Sequence, residues 1–123
     1  MNELALIIED DPDLAAIFTE ALQAADYQTE TIRDGQEARQ RLRQVVPKLV
    51  VLDMHLPNVS GRELLYLLRH DARLRKTLVM IVTADARMVE TYGDQADYVL
   101  IKPVIFSQLR DLTRRLHGEA LAE

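Results

Sequence analysis

Glu9, Asp10 and Asp11 follow one short apolar run; Asp53 follows a second, Thr83 closes a third and Lys102 a fourth. In an open sheet of parallel strands flanked by helices, functional groups collect beyond the carboxyl ends of the strands. These groups would then meet at one end of the molecule. Carboxylates gathered there repel one another unless a cation holds them, and an all-oxygen donor set suits Mg²⁺. Thr83 would add a hydroxyl and Lys102 a fixed positive charge. A carboxylate nucleophile, a metal, a hydroxyl and an ammonium form a site for a phosphoryl group in transfer.

Taken singly, each residue has a plainer reading. An acidic cluster before a helix is often a cap, and Asp11, directly before Pro12, is read as one. Thr83 alone is a β-branched strand residue, and Lys102 alone a solvated strand end. Asp53 is harder to set aside, because an aspartate straight after "LVVL" is costly to bury without a metal or a donor. The joint pattern carries the phosphoryl reading: a suitable group stands at the end of each of four strands.

The elements that must position these groups alternate along the chain. Leu4–Ile8, Lys48–Asp53, Thr77–Thr83 and Tyr98–Ile101 are continuous apolar runs, as expected of strands covered on both faces. Tyr27–Ile32 alternates in polarity and reads as a strand nearer an edge. Leu14, Ile17, Phe18, Ala21 and Leu22 make an apolar stripe after Pro12. Further helices are predicted after Asp34-Gly35 and after Ser60-Gly61, with Leu64, Leu65, Leu67 and Leu68 in the latter. A short fourth helix is expected from Arg87 to about Asp94, and a fifth from near Ser107 to Leu116, followed by a frayed tail. The order is β-α five times over, which right-handed crossovers lay out as an open parallel sheet with helices on both faces.

At 123 residues the chain is about the size of one domain. A net charge of −5 does not favour a broad nucleic-acid face. Arginines near 39–43 and 110–115 are read as solvated helix faces. No cysteine is present, which excludes disulfides, thiolate catalysis and Cys-based zinc sites. His55, His70 and His117 are too scattered to suggest zinc. Five apolar residues before three acids do not make a secretory leader, and no apolar run reaches the length of a membrane span. The expectation is a cytoplasmic protein that engages no membrane.

Four segments resemble the receiver domain of bacterial two-component response regulators. "LIIEDDPDLA" is similar to that family's acidic first turn and "LVVLDMHLPNVSG" to its phosphoacceptor segment. "VMIVTA" and "IKPV" resemble its hydroxyl and lysine motifs. The resemblance covers about Leu4 to Leu116 and implies a flavodoxin-like α/β fold, a doubly wound five-stranded parallel sheet in the order 2-1-3-4-5 within a single domain over 1–123. It implies that Asp53 takes a phosphoryl group from a phosphohistidine of a sensor histidine kinase or phosphotransfer protein. Asp10 and Asp53 would bind Mg²⁺ directly, Glu9 through water, and His55 through its backbone carbonyl. Thr83 would move to bond one phosphoryl oxygen and Lys102 would pair with another, while the small Ala84 leaves the phosphodonor access. A cis Lys102–Pro103 peptide is implied as well. His55 and Asp85 stand where the family tunes its dephosphorylation rate.

One position departs from the family, which usually has an aromatic three residues before the lysine. Here that residue is Val99, and Tyr98 lies one place earlier. Side chains alternate along a strand, so this offset sends Tyr98 to the opposite face, and coupling of Thr83 to an aromatic switch is expected to be absent or altered. Output would pass through the fourth helix, fifth strand and fifth helix to an effector or a second copy. The resemblance implies a switch that catalyses only its own phosphoryl transfer and loss, with no direct nucleic-acid contact by this domain. An N-terminal receiver cut from a longer regulator with DNA-binding or enzymatic output is the alternative. An Asp-nucleophile phosphohydrolase is more remote, since Asp53-Met54-His55 lacks the second aspartate and no capping insertion is present. A flavin or nucleotide binder would want Ser, Thr or Gly where three acids stand.

Overall fold

Strand runs rich in Val, Ile and Leu are buried on both sides here, which accounts for their lack of alternation. The computed structural model describes residues 3–122, with side chains through Arg115. In chain order the elements are β1 (Glu3–Ile8), α1 (Pro12–Ala24), β2 (Tyr27–Ile32), α2 (Gly35–Leu42), β3 (Leu49–Asp53) and α3 (Gly61–His70). They continue with a 3₁₀ turn (Ala72–Leu74), β4 (Leu78–Thr83), α4 (Met88–Tyr92), β5 (Tyr98–Ile101) and α5 (Phe106–Ala122). All strand pairs are parallel, in the order β2-β1-β3-β4-β5. This is the flavodoxin-like doubly wound arrangement, with β2 at one edge as its more polar sequence suggests.

Alternate residues of each strand feed two cores. Leu6 and Ile8 of β1, Val50 and Leu52 of β3, and Val79 and Ile81 of β4 pack under α2, α3 and α4. Ala5, Ile7, Leu49, Val51, Met80 and Val82 face the other way, against α1 and α5. Helix starts follow from their caps. Asp11 accepts from the backbone N–H groups of Asp13 and Leu14 at 2.9 and 3.3 Å, with Pro12 opening α1. Asp34 caps α2 in the same way, and Ser60 accepts from Glu63 N–H at the start of α3. Gly61 lets α3 approach the end of β3, since a Cβ there would come within 2.6 Å of Met54 Cα.

Three details differ from the sequence expectation. A 3₁₀ turn over Ala72–Leu74 buries Leu74 below α3. The fourth helix is only five residues long. The fifth continues through Ala122 instead of fraying after Leu116, because Glu119, Ala120, Leu121 and Ala122 are good helix formers that outweigh Gly118. The inward orientation expected of the Leu116 side chain lies outside the described side chains.

Candidate functional site

The register of the sheet builds the site. Ile8 of β1 pairs with Leu52 of β3, so Glu9 and Asp53 leave the ends of adjacent strands side by side. Thr83 pairs with Ile101 of β5, and the Lys102 N–H then donates to the Thr83 carbonyl at 2.8 Å. Glu9, Asp53 and Thr83 are almost wholly buried, whereas Asp10 is exposed. One oxygen each from Glu9, Asp10 and Asp53 lies within 4.8 Å of the others.

Lys102 Nζ stands between the two buried carboxylates, 3.6 Å from Glu9 Oε1 and 3.7 Å from Asp53 Oδ2. These are ion-pair distances beyond hydrogen-bonding range. Asp53 Oδ1 accepts from the His55 N–H at 3.0 Å, which fixes the turn of the carboxylate. Glu9 Oε2 accepts only a long bond from Asp11 N–H, at 3.3 Å, and Glu9 Oε1 is buried without any hydrogen-bond partner. Burial above all, and then the adjoining Asp53, push the Glu9 carboxyl up to about 8, against the pull of Asp11 N–H and Lys102. Further positive charge beside Lys102 would favour the ionised form of Glu9.

The remaining sequence candidates surround this cluster. The Thr83 hydroxyl accepts from Asp85 N–H at 3.0 Å, so in this state it serves the β4–α4 loop. Ala84 and His55 are exposed, Asp85 is half-buried, and Lys102–Pro103 is a cis peptide. Asp85 is gripped by Arg87, whose Nε and Nη2 donate at 2.9 and 2.8 Å. The hydrogen bonds from Arg87 hold the Asp85 carboxyl down at about 2, with the more distant His55 adding slightly. Tyr98 packs against the core on the α1/α5 side, as do Leu100, Val104 and Phe106, and Val99 against the core on the other, as do Met88, Tyr92 and Ala96.

Sequence reasoning does not identify the Arg87 clamp, although an arginine two residues after a loop aspartate was a readable signal. It also misses Tyr92, whose hydroxyl accepts from Arg62 Nε at 2.9 Å and ties α4 to α3. These partners are 30 residues apart, and no local pattern joins them.

Known proteins are similar to this chain in sequence and in fold. The polar-differentiation response regulator DivK of Brucella ovis is 36% identical over 125 residues, a match covering 98% of this chain and all of DivK. The DNA-binding response regulator MtrA of Mycolicibacterium smegmatis is 31% identical over 103 residues, which are 84% of this chain and 45% of MtrA. The chain thus spans about half of one relative and the whole of another. The solved receiver domain of a signal transduction histidine kinase from Syntrophus aciditrophicus superposes with a TM-score of 0.83 at 31% identity, covering 95% of this chain and 91% of that one. The family model for the response regulator receiver domain matches residues 5–114, from the first strand into the last helix. On that match, and on relatives above 30% identity along almost its full length, the chain belongs to the response regulator receiver domain family.

Proposed function

We propose that Asp53 is the phosphoryl acceptor of a two-component switch, supplied by a phosphohistidine on a sensor kinase or phosphotransfer protein. The observation that carries this reading is the buried Asp53 carboxylate held between Glu9, Asp10 and Lys102. An Asp53 oxygen attacks phosphorus and forms the acyl phosphate bond as the bond to the donor nitrogen breaks and the imidazole leaves. Water later cleaves the acyl phosphate, returning inorganic phosphate and the carboxylate. Lys102 pairs with a phosphoryl oxygen. Thr83 exchanges its bond with Asp85 N–H for another phosphoryl oxygen, drawing the β4–α4 loop inward.

The donor set fits a hard divalent ion, since three carboxylates converge and buried Glu9 Oε1 has no hydrogen-bond partner. Asp10, Asp53 and the His55 carbonyl would hold Mg²⁺, with Glu9 bound through water. When bound, the ion neutralises the charge that gathers on the transferring phosphoryl group. His55 and Asp85 flank the path of the attacking water and set the phosphorylated lifetime, and Ala84 leaves that path open. Val99 in place of an aromatic alters how the change reaches α4, β5 and α5, where an effector or a second copy would read it. The chain acts as one receiver domain with no external substrate to turn over. Among the described residues no helix is long and apolar enough to cross a membrane, and the proposed place of action is the cytoplasm.

Two relatives favour two settings for the same switch: DivK is matched over its whole length and MtrA over under half. The switch is tested by intact-mass measurement after incubation with acetyl phosphate, with and without Mg²⁺. A single phosphoryl adduct that requires Mg²⁺ and disappears in Asp53→Asn is expected. An adduct that persists in Asp53→Asn, or none in the wild type, overturns the assignment.

A further inference from the structure

We propose that the groove between α2 and α3 is a docking site for an acidic amphipathic helix of another protein, separate from the phosphoryl site. The groove encloses about 430 Å³ and is lined by Arg39 of α2 and by Arg62, Glu63, Leu64, Tyr66 and Leu67 of α3. Leu64 forms a fully buried floor, Leu67 is half-buried, and the Tyr66 ring is 62% exposed. That ring is held in place by stacking on His70, with centroids 3.8 Å apart and planes 17° from parallel. An exposed aromatic already fixed in one orientation loses little freedom when a partner covers it, and Tyr and Arg are the residue types that anchor interfaces.

Charge selects the partner. Arg41 on α2 and Arg69 on α3 each hold a carboxylate of this chain, Glu30 at 2.6 Å and Asp97 at 3.0 Å. Among the described residues, the two arginines of the groove, on the same helices, hold no carboxylate. Arg39 Nη2 donates to the neutral Gln36 side chain and its Nε is buried without an acceptor; Arg62 Nε donates to the Tyr92 hydroxyl. Against these two guanidinium groups the groove has one acid, Glu63. It is therefore a cationic apolar slot on a chain of net charge −5, and its charge favours an acidic partner. From Arg62 to Leu67 it runs along about a turn and a half of α3. Two apolar side chains one turn apart on a visiting helix would fill it, with flanking Glu or Asp residues meeting Arg39 and Arg62.

The test uses the full chain, ¹⁵N-labelled, and a synthetic helical peptide of about 14 residues with a leucine stripe flanked by glutamates. A twin peptide has lysines in place of the glutamates. The glutamate peptide is expected to shift amides of residues 36–43 and 61–70, and the lysine twin to leave them unmoved. Arg39→Gln combined with Arg62→Gln is expected to weaken binding about tenfold while the amide spectrum outside α2, α3 and the α4 segment tied by Arg62 stays that of the wild type. Arg39→Gln alone, which keeps the bond to Tyr92, should give part of that loss. Equal binding of both peptides, shifts centred on α4, β5 and α5, or undiminished binding by the double variant overturns the proposal. Concentration-dependent shifts of the same amides without peptide would identify a second copy as the occupant and overturn it too.

Discussion

Leu52 in β3 and Leu100 in β5 are the same residue in one sheet, separated by a single strand, yet Leu52 is fully buried and Leu100 only half so. The contrast extends to their surroundings. Every residue of β3 is buried, and α3 buries Gly61, Leu64, Leu65 and Leu68. No residue of β5 or of α4 is buried. The carboxylates therefore sit on the tightly packed middle of the sheet, where a side chain shifts only at the cost of its neighbours. Two of the proposed output elements, α4 and β5, lie at the loosely packed edge, where local opening is cheap. A switch needs both: chemistry on fixed groups and a response in elements that little holds down.

Truncation breaks the contrast directly. Leu52→Ala is expected to cost about 3 kcal/mol of unfolding free energy, as lost burial and a cavity under α3 add together. Leu100→Ala should cost about 1 kcal/mol, since its side chain already meets solvent and the edge can relax. Urea unfolding of the two variants measures the difference. Equal losses would mean that the edge is as firmly packed as the centre.

The tight half should also carry the pH dependence. Folding raises the Glu9 carboxyl from 4.5 to about 8, so the folded state favours its protonated form. That contribution is fully present below about pH 4.5 and is lost as pH rises through about 8. Glu30 and Asp85 are shifted downward instead, by Arg41 and Arg87, so their contributions are lost only in acid. The metal-free chain is therefore expected to lose thermal stability between about pH 5 and about pH 8. Millimolar Mg²⁺ should reverse the loss at the upper end, because an ion favours ionised Glu9 and its binding displaces the proton. Melting curves with Mg²⁺ and with a chelator, at both ends of the window, check this. A melting temperature that is flat with pH in chelator would remove Glu9 as the responsible group.

Much of the site could be read from sequence. Strands buried on both faces appear as unbroken apolar runs, so the polar residues ending them, Glu9, Asp53, Thr83 and Lys102, stand out one by one. Strand alternation likewise separates Val99 from Tyr98 before any coordinates are known. The loose half was far less legible. The Thr83 hydroxyl turning toward Asp85 N–H, Arg69 reaching Asp97 across 28 residues, and Arg62 reaching Tyr92 all depend on how helices lie against the sheet. Periodicity fixes which face a residue occupies; it does not fix how far a long side chain travels along that face.

The smallest expected effect tests the loose half on its own terms. With no buried residue, α4 has little apolar surface to hold it, and the hydrogen bond from Arg62 Nε to Tyr92 Oη ties it to the better-packed α3. Tyr92→Phe keeps the ring against the core on that face of the sheet and removes only that bond. Global stability should change by about 1 kcal/mol or less, while amide exchange in Met88–Tyr92 quickens several-fold as the local opening equilibrium shifts. Tyr98→Phe, against the core on the opposite face, should leave α4 exchange as it was. If Tyr98→Phe loosens α4 as much as Tyr92→Phe does, the two faces of β5 are coupled. The aromatic one place out of register would then reach the helix after all.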